Sequence, residues 1–341
     1  MDLYNGAARN FPSTQQIQFA GKFKDKWWDA SILQFLTNGD WKGTFHKKGT
    51  EIRVPIRPTV NIHDTTPGGG IIYQKPKGRD EVFTIGRESY WALEFLPEDI
   101  EFSAIDIKNP LISDAANQMA EWIETKFGAD IINKVHPDNT GNTAGRRSHG
   151  YQLGAPGTTG SSAATRPNAI KLFKTQAQCD ADSGTTFKEV GPDFVYHCFS
   201  CLKEQKGAKG REFFMVIPTI MADRIQCSEL KMAGWMNEAN SSLRKDVTAL
   251  GSFNGNGNNI YVDDTMLPIF SESYGASGTV NVYPVLFGAK IATTFAQEVV
   301  WRDSNLKDIE SWDEYHRCKT VYDWMVRYRQ FLGCAYVYMA A

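Results

Sequence analysis

Cysteine is scarce: six in 341 residues, irregularly spaced, so the chain encodes no disulfide framework and its thiols read most simply as reduced. Charge of neither sign is in excess, and a formal net charge of −2 lacks the strong basicity of a dedicated nucleic-acid binder. No apolar run approaches the roughly 18 residues of a membrane-spanning helix, and Met1 to Gln18 lacks the basic-then-apolar signature of a secretory signal. The expectation is a protein made and used in a cytoplasm, without a membrane partner. No segment recurs at a period of about 20 to 50 residues, which removes solenoids and propellers.

Catalytic signatures are equally sparse. Gly255-Asn256-Gly257 lacks the third glycine of a dinucleotide loop, and the chain contains no Gly-Lys-Ser/Thr phosphate cradle, Gly-x-Ser-x-Gly elbow or His-Glu-x-x-His helix. These absences point to a protein that is not an enzyme and has no catalytic, cofactor-binding or metal-ligating residues. One pattern could carry chemistry: Cys198-Phe199-Ser200-Cys201 beside His197, a possible redox dithiol or half of a zinc site, with Cys227 as a further thiol. Its helical spacing, however, sets Phe194, Val195, Cys198, Cys201 and Leu202 on one stripe, and no second Cys-x-x-Cys or His-x3-His completes a tetrahedral site. Core packing is the favoured reading of both thiols.

The chain does have ordinary globular material, 42% hydrophobic and 22% charged, enough for one large domain or two lobes. Its most informative stretch is residues 42–135. Thr50 to Pro58 alternates Ile52, Val54 and Ile56 against Glu51, Arg53 and Arg57, the period of a half-buried strand, with Pro55 marking an edge. After the Thr65-Thr66-Pro67-Gly68-Gly69-Gly70 tip the chain returns through Val82 to Ile85 and then Trp91, Leu93 and Phe95, which describes a long hairpin. Two arms of this kind do not stand alone in water.

A long helix follows, with Asn109 as N-cap, Pro110 at its first position and Pro137 as its stop. Ile112, Ala115, Met119, Trp122, Ile123, Phe127 and Ile131 repeat at three and four and form the buried stripe, with Gly128 as a weak point of about 1 kcal/mol. Asp114, Glu121, Glu124 and Asp130 occupy the other face. Residues 42–95 hold nine Lys/Arg against six Asp/Glu (+3), and residues 96–135 hold three against eight (−5). Such complementarity steers and registers partners more than it binds them, because exposed pairs contribute only ~0–1 kcal/mol each. The candidate subunit-interface residues are therefore Arg53, Arg57, Lys75, Lys77 and Arg79 on the hairpin and Asp114, Glu121 and Glu124 on the helix. Trp27 and Trp28, with Ile32, Leu33, Phe35 and Leu36, read as a short amphipathic arm that docks on a neighbour.

Farther along, Pro137 to Pro167 turns to Gly, Ser, Thr and Asn and reads as a long loop between lobes. Pro192 to Gln205 reads as a helix, Arg211 to Pro218 as a fully buried strand and Thr219 to Gln226 as a helix; Gly251 to Asn258 reads as a tight loop. Thr279 to Phe287 and Lys290 to Ala296 read as strands, and alternation from Val321 makes the C-terminal region strand-rich.

In this order of elements the chain resembles the major capsid proteins of tailed bacteriophages of the Hong Kong 97 type. His46 to Phe95 is similar to their extended loop, Asn109 to Val135 to their spine helix and Pro192 to Ala296 to their axial domain. Trp312 to Arg317 and Phe331 to Val337 are similar to the sheet that completes their peripheral domain. The resemblance implies an α+β fold: an N-terminal arm over 1–41, an extended loop over 42–95, a peripheral domain over 96–168 and 297–341 with a spine helix over 110–135, and an axial domain over 169–296. It further implies self-assembly into hexamers and pentamers of an icosahedral head enclosing double-stranded DNA without sequence-specific contacts. Implied partners are a portal, possible decoration proteins and, since only about 40 residues precede the hairpin, a separate scaffolding protein. The implied location is the virion head, assembled in the host bacterial cytoplasm. A covalent cross-link through Lys75 or Lys77 has no evident asparagine partner. An encapsulin-like compartment shell is the alternative within the same fold, and a thiol or metal enzyme using Cys198 and Cys201 the alternative outside it.

Overall fold

In the computed structural model of this chain the described residues are 31–39, 51–56, 62–64, 73–75, 78–95, 108–141, 151–160, 165–184, 187–205, 208, 210–226, 249–253, 258–275, 278–307 and 314–339. A single helical turn, α1 (Leu33–Leu36), comes first. Strands β1 (Glu51–Ile56), β2 (Arg79–Thr84) and β3 (Arg87–Phe95) precede the long helix α2 (Lys108–Ile132). Next come β4 (Thr158–Thr159), β5 (Arg166–Pro167), β6 (Ile170–Phe173), α3 (Gln176–Ala181), β7 (Lys188–Val190) and α4 (Gly191–Lys203). Then follow β8 (Phe213–Ile217), α5 (Thr219–Gln226), β9 (Ala249–Phe253), β10 (Asn258–Val262) and β11 (Phe270–Tyr274). The chain closes with β12 (Gly278–Ala289), β13 (Thr293–Lys307), β14 (Glu314–Val326) and β15 (Leu332–Met339).

An apolar run without a polar face needs cover on both sides, and this fixes the centre of the larger sheet. Its strand order is β7-β6-β15-β12-β8-β10-β9, with β11 paired to β12. All five residues of β8 are buried, as the run Phe213 to Ile217 leads one to expect. In β15, Leu332 to Tyr338 are buried as well, and the strand lies between β12 and β6. This corrects the grouping of 297–341 with the spine helix: residues 332–339 complete the sheet built from the 169–296 segment. Helix α4 packs against this sheet at β12 and β15 and buries Phe194, Val195, Phe199 and Leu202.

A smaller antiparallel sheet, β13-β14-β3, forms the second layer. Strand β3 pairs with β14 from Arg87↔Tyr322 to Glu314↔Phe95, so Trp91, Leu93 and Phe95 are not the returning arm of the hairpin. That arm is β2 alone, in register with β1 from Glu51↔Thr84 to Ile56↔Arg79. Two single 3-10 turns, Lys290–Ala292 and Arg329–Phe331, carry the chain between the sheets. They are stapled together, since Arg327 N and Tyr328 N both donate to Ala292 O, at 2.8 and 3.2 Å. The expected strand from Lys290 therefore begins at Thr293.

Helix α2 begins at Lys108, one residue before the expected cap, and ends at Ile132. Its 25 residues span about 38 Å at 1.5 Å per residue. Met119, Ile123, Phe127 and Ile131 are buried as the stripe requires, but Trp122, at its flank, is 56% exposed. Gly128 is no weak point. A Cβ there would lie 2.0 Å from Met266 O, so the residue is small because the loop after β10 crosses the helix at backbone contact.

The Pro137 to Pro167 stretch is more ordered, in its described parts, than a long loop. Pro137–Asn139 forms a 3-10 turn whose buried Asn139 donates Nδ2 to Gln330 O and Leu332 O, both at 2.8 Å, and accepts from Gln205 Nε2 at 2.9 Å. Tyr336 N donates to Leu153 O at 2.7 Å. Single polar residues supply this order, so hydrophobic periodicity gives no sign of it. The Thr65 to Gly70 tip and residues 254–257 lie outside the described residues.

Candidate functional site

The β1-β2 ribbon is held at its base and open beyond it. Phe83 and Ile85 are buried against Ala296 and Val321 of the smaller sheet. Beyond them Val82 is 50% exposed, and farther out Ile62 and Tyr73 are 93% and 88% exposed. Large apolar side chains this exposed in the segments between β1 and β2 mark a surface that meets another one. Arg53 and Lys75 are exposed on the same ribbon, and Arg79 lies in β2. Among the described residues no ion pair joins Arg53 or Lys75 to helix α2. Arg57, Lys77, Trp27 and Trp28 lie outside the described residues.

The helix supplies the second surface. Asp114 and Glu121 are exposed, as expected of its acidic face. Beside them a groove of about 600 Å³ opens between α2 and β3, floored by Trp91, Leu93, Met119 and Trp122 and rimmed by Tyr90 and Lys126. Strand β3 is an edge of its sheet, Tyr90 is 78% exposed, and Lys126 Nζ sits 4.4 Å from the Trp122 ring centre. An aromatic floor with a charged rim is the composition of an interface patch. Helical spacing alone sets Trp122 on the buried stripe and gives no sign of this groove.

Glu124 is a correction. It lies four residues past Ala120 and next to Ile123, both buried, and is itself only 3% exposed. Its Oε1 accepts from Ser31 Oγ at 2.8 Å and from Ile32 N at 2.6 Å. An acidic residue at the margin of an apolar stripe is drawn inward when a remote segment brings donors to it, and here that segment is N-terminal. Glu124 therefore cannot serve as an exposed interface charge. The same contact corrects the expectation that residues 32–36 dock on a neighbour: Ile32, Leu33 and Leu36 are buried in the chain's own core, and Phe35 stacks on Tyr261 with ring centres 5.5 Å apart.

The thiols pack as their stripe predicts. Cys198 and Cys201 are both fully buried on α4, and burial, then the Glu189 charge, pushes the Cys198 thiol well above its ordinary value. Cys201 Sγ lies 3.6 Å from Asn139 Oδ1. His197 points elsewhere, Nδ1 3.0 Å from Glu189 Oε1 and its ring 5.5 Å from that of Tyr151. A thiol so held from ionising is a poor nucleophile and a poor metal ligand. Cys227 lies outside the described residues.

No family model matches the chain, and no curated protein matches it. Solved structures do. The capsid of Ralstonia phage GP4 aligns at a TM-score of 0.55 and 11% identity, over 86% of this chain and 84% of that one. The mature capsid of bacteriophage PhiM1 aligns at 0.51 and 14%, over 91% and 87%. The capsid of Cyanophage P-SCSP1u aligns at 0.51 and 12%, over 91% and 88%. At such identities the likeness is one of fold, and it runs nearly the whole length of both partners. The chain has the α+β fold of phage capsid proteins, the Hong Kong 97 type that its order of elements resembles.

Proposed function

We propose that the protein is the major capsid protein of a phage, a structural subunit without enzymatic activity that self-assembles into hexamers and pentamers of an icosahedral, DNA-filled head. The single observation that carries this reading is the whole-length match to phage capsids, over 86 to 91% of this chain. Two unsatisfied surfaces support it: the projecting ribbon with Ile62 and Tyr73 exposed, and the aromatic groove between α2 and β3. They are different surfaces of the subunit, so a contact between them is heterologous and generates rings or shells rather than a closed pair. DNA is enclosed without sequence readout, and a scaffolding protein, a portal and decoration proteins act on the outside and inside of the shell. Assembly proceeds in the host bacterial cytoplasm and ends in the virion head.

The thiol-enzyme reading loses its chemistry with the burial of Cys198 and Cys201. Negative-stain microscopy of the expressed protein is the direct test. Closed shells, capsomer rings or tubes are expected. A monodisperse monomer at all concentrations, with and without scaffold-mimicking crowders, would overturn the proposal.

A further inference from the structure

Three elements converge on the Glu124 carboxyl. From the N-terminal side come Ser31 Oγ and Ile32 N, which donate to Oε1. From the other side comes the loop after β10, drawn against the helix where Thr125 Oγ1 donates to Thr265 O at 3.0 Å. Asp263 shapes that loop, its Oδ1 accepting from Thr265 N at 2.7 Å and Met266 N at 2.8 Å. The charged groups that bear on Glu124 are Asp263 on this loop and Glu121 on its own helix, both acidic. Among the described residues no Lys, Arg or His forms an ion pair with it. A carboxylate buried without a cation strongly disfavours its charged form. Burial first, then Asp263, pushes the Glu124 carboxyl up to about 8, so it is protonated at neutral pH.

We propose that Glu124 is a proton-operated latch for the N-terminal segment, seating residues 31–38 on the long helix while it is neutral and releasing them when it ionises. Loss of the proton to water leaves a negative charge buried beside Asp263, and hydration relieves it. Helix α2 and the 263–267 loop cannot open easily, because Gly128 and Met266 are in backbone contact. The N-terminal segment can. Among the described residues its holds include one helical turn, the buried Ile32, Leu33 and Leu36, the Phe35–Tyr261 stack and a parallel bridge in which Asn38 N donates to Thr293 O at 2.9 Å and Phe295 N to Asn38 O at 3.1 Å. Release uncovers Leu33, Leu36 and the edge of β13, converting an internal contact into an available surface. This goes beyond the shell reading and does not depend on it.

The test is pulse-labelling hydrogen exchange of the full chain from pH 6.5 to 9.5, corrected for intrinsic rates, with residues 213–217 as the internal standard. Protection over 31–38 should fall about tenfold or more as pH rises from 6.5 to about 8 and level off above it, while 213–217 remains protected. Glu124→Gln keeps an acceptor and cannot ionise, so its protection should not change with pH. Asp263→Asn, which removes the facing negative charge and retains an acceptor for the loop, lets Glu124 ionise at lower pH, so its loss of protection should be complete at lower pH than in the wild type. It keeps the question decidable if E124Q fails to fold. Wild-type protection that persists to pH 9.5, an E124Q profile that follows the wild type, or an unmoved release in D263N would each overturn the latch.

Discussion

Arg87 of the edge strand β3 reaches Asp130 of the long helix, Nη2 to Oδ2 at 3.3 Å, while its guanidinium lies 3.8 Å from the Trp324 ring centre. Asp130 is the meeting point of this junction, because Lys134 Nζ donates to the same oxygen at 2.7 Å and Trp324 Nε1 donates to it as well. Burial pushes the Asp130 carboxyl up, but the hydrogen bonds from Lys134 and Trp324 and the charges of Lys134 and Arg87 outweigh it and hold the group below its ordinary value of 3.8. The smaller sheet is thereby pinned to the helix by charge and a π face together.

Asp130→Asn should cost roughly 1–2 kcal/mol at pH 7, since it removes charge-assisted bonds from a half-buried site. A carboxyl depressed in the folded state contributes stability that is full above its ordinary value of 3.8 and fades as pH falls toward the folded value. Urea midpoints of wild type and D130N should therefore differ at pH 7 and draw together as pH falls below 3.8. A constant difference across that window would remove the ionic account.

Gly128→Ala tests helix propensity against packing. Propensity alone favours alanine by about 1 kcal/mol. The Met266 carbonyl, 2.0 Å from where the new Cβ would sit, predicts destabilisation of about 3 kcal/mol or more, because backbone rather than a pliable side chain must move. Thermal melting decides between them by the sign of the shift.

Trp122→Glu should leave the subunit folded and prevent its association, because the ring is 56% exposed on the groove and not in the core. Near-ultraviolet circular dichroism and sedimentation velocity report the two properties separately. Normal assembly by a folded W122E would mean that the groove is not a contact surface.

Reversing Lys75, Lys77 and Arg79 together to Glu tests the charge argument. Each exposed pair contributes only ~0–1 kcal/mol, but a closed shell repeats the contact many times and responds to small losses per interface. Light scattering should find assembly impaired at low salt and partly restored at high salt, where the Debye length falls from roughly 10 Å at 0.1 M toward 3 Å at 1 M. Wild-type assembly by the triple variant at low salt would mean that ribbon and helix do not meet through charge.

Trypsin should cut the ribbon at Arg53 in free subunits, where it is exposed, and spare it after assembly. Equal cutting in both states would exclude the ribbon as an intersubunit clamp.

Elements whose signal is local and periodic are legible in the order of residues alone. Met119, Ile123, Phe127 and Ile131 of the helical stripe, the unbroken run Phe213 to Ile217 and the Cys198–Cys201 face of α4 are each read from spacing and each buried as read. Only the tertiary structure decided what depends on a remote partner. The destination of Leu332 to Met339 was settled by which sheet had an interior place for a strand apolar on both faces. Trp122 was left exposed on the groove beside β3, and Gly128 was explained by a carbonyl 138 residues on, at Met266. Glu124 was turned from a surface charge into a buried one by Ser31 and Ile32, more than ninety residues before it. Periodicity fixes which side of an element is apolar, but the identity of what arrives against that side is a property of chain topology, and so is the chemistry at the contact.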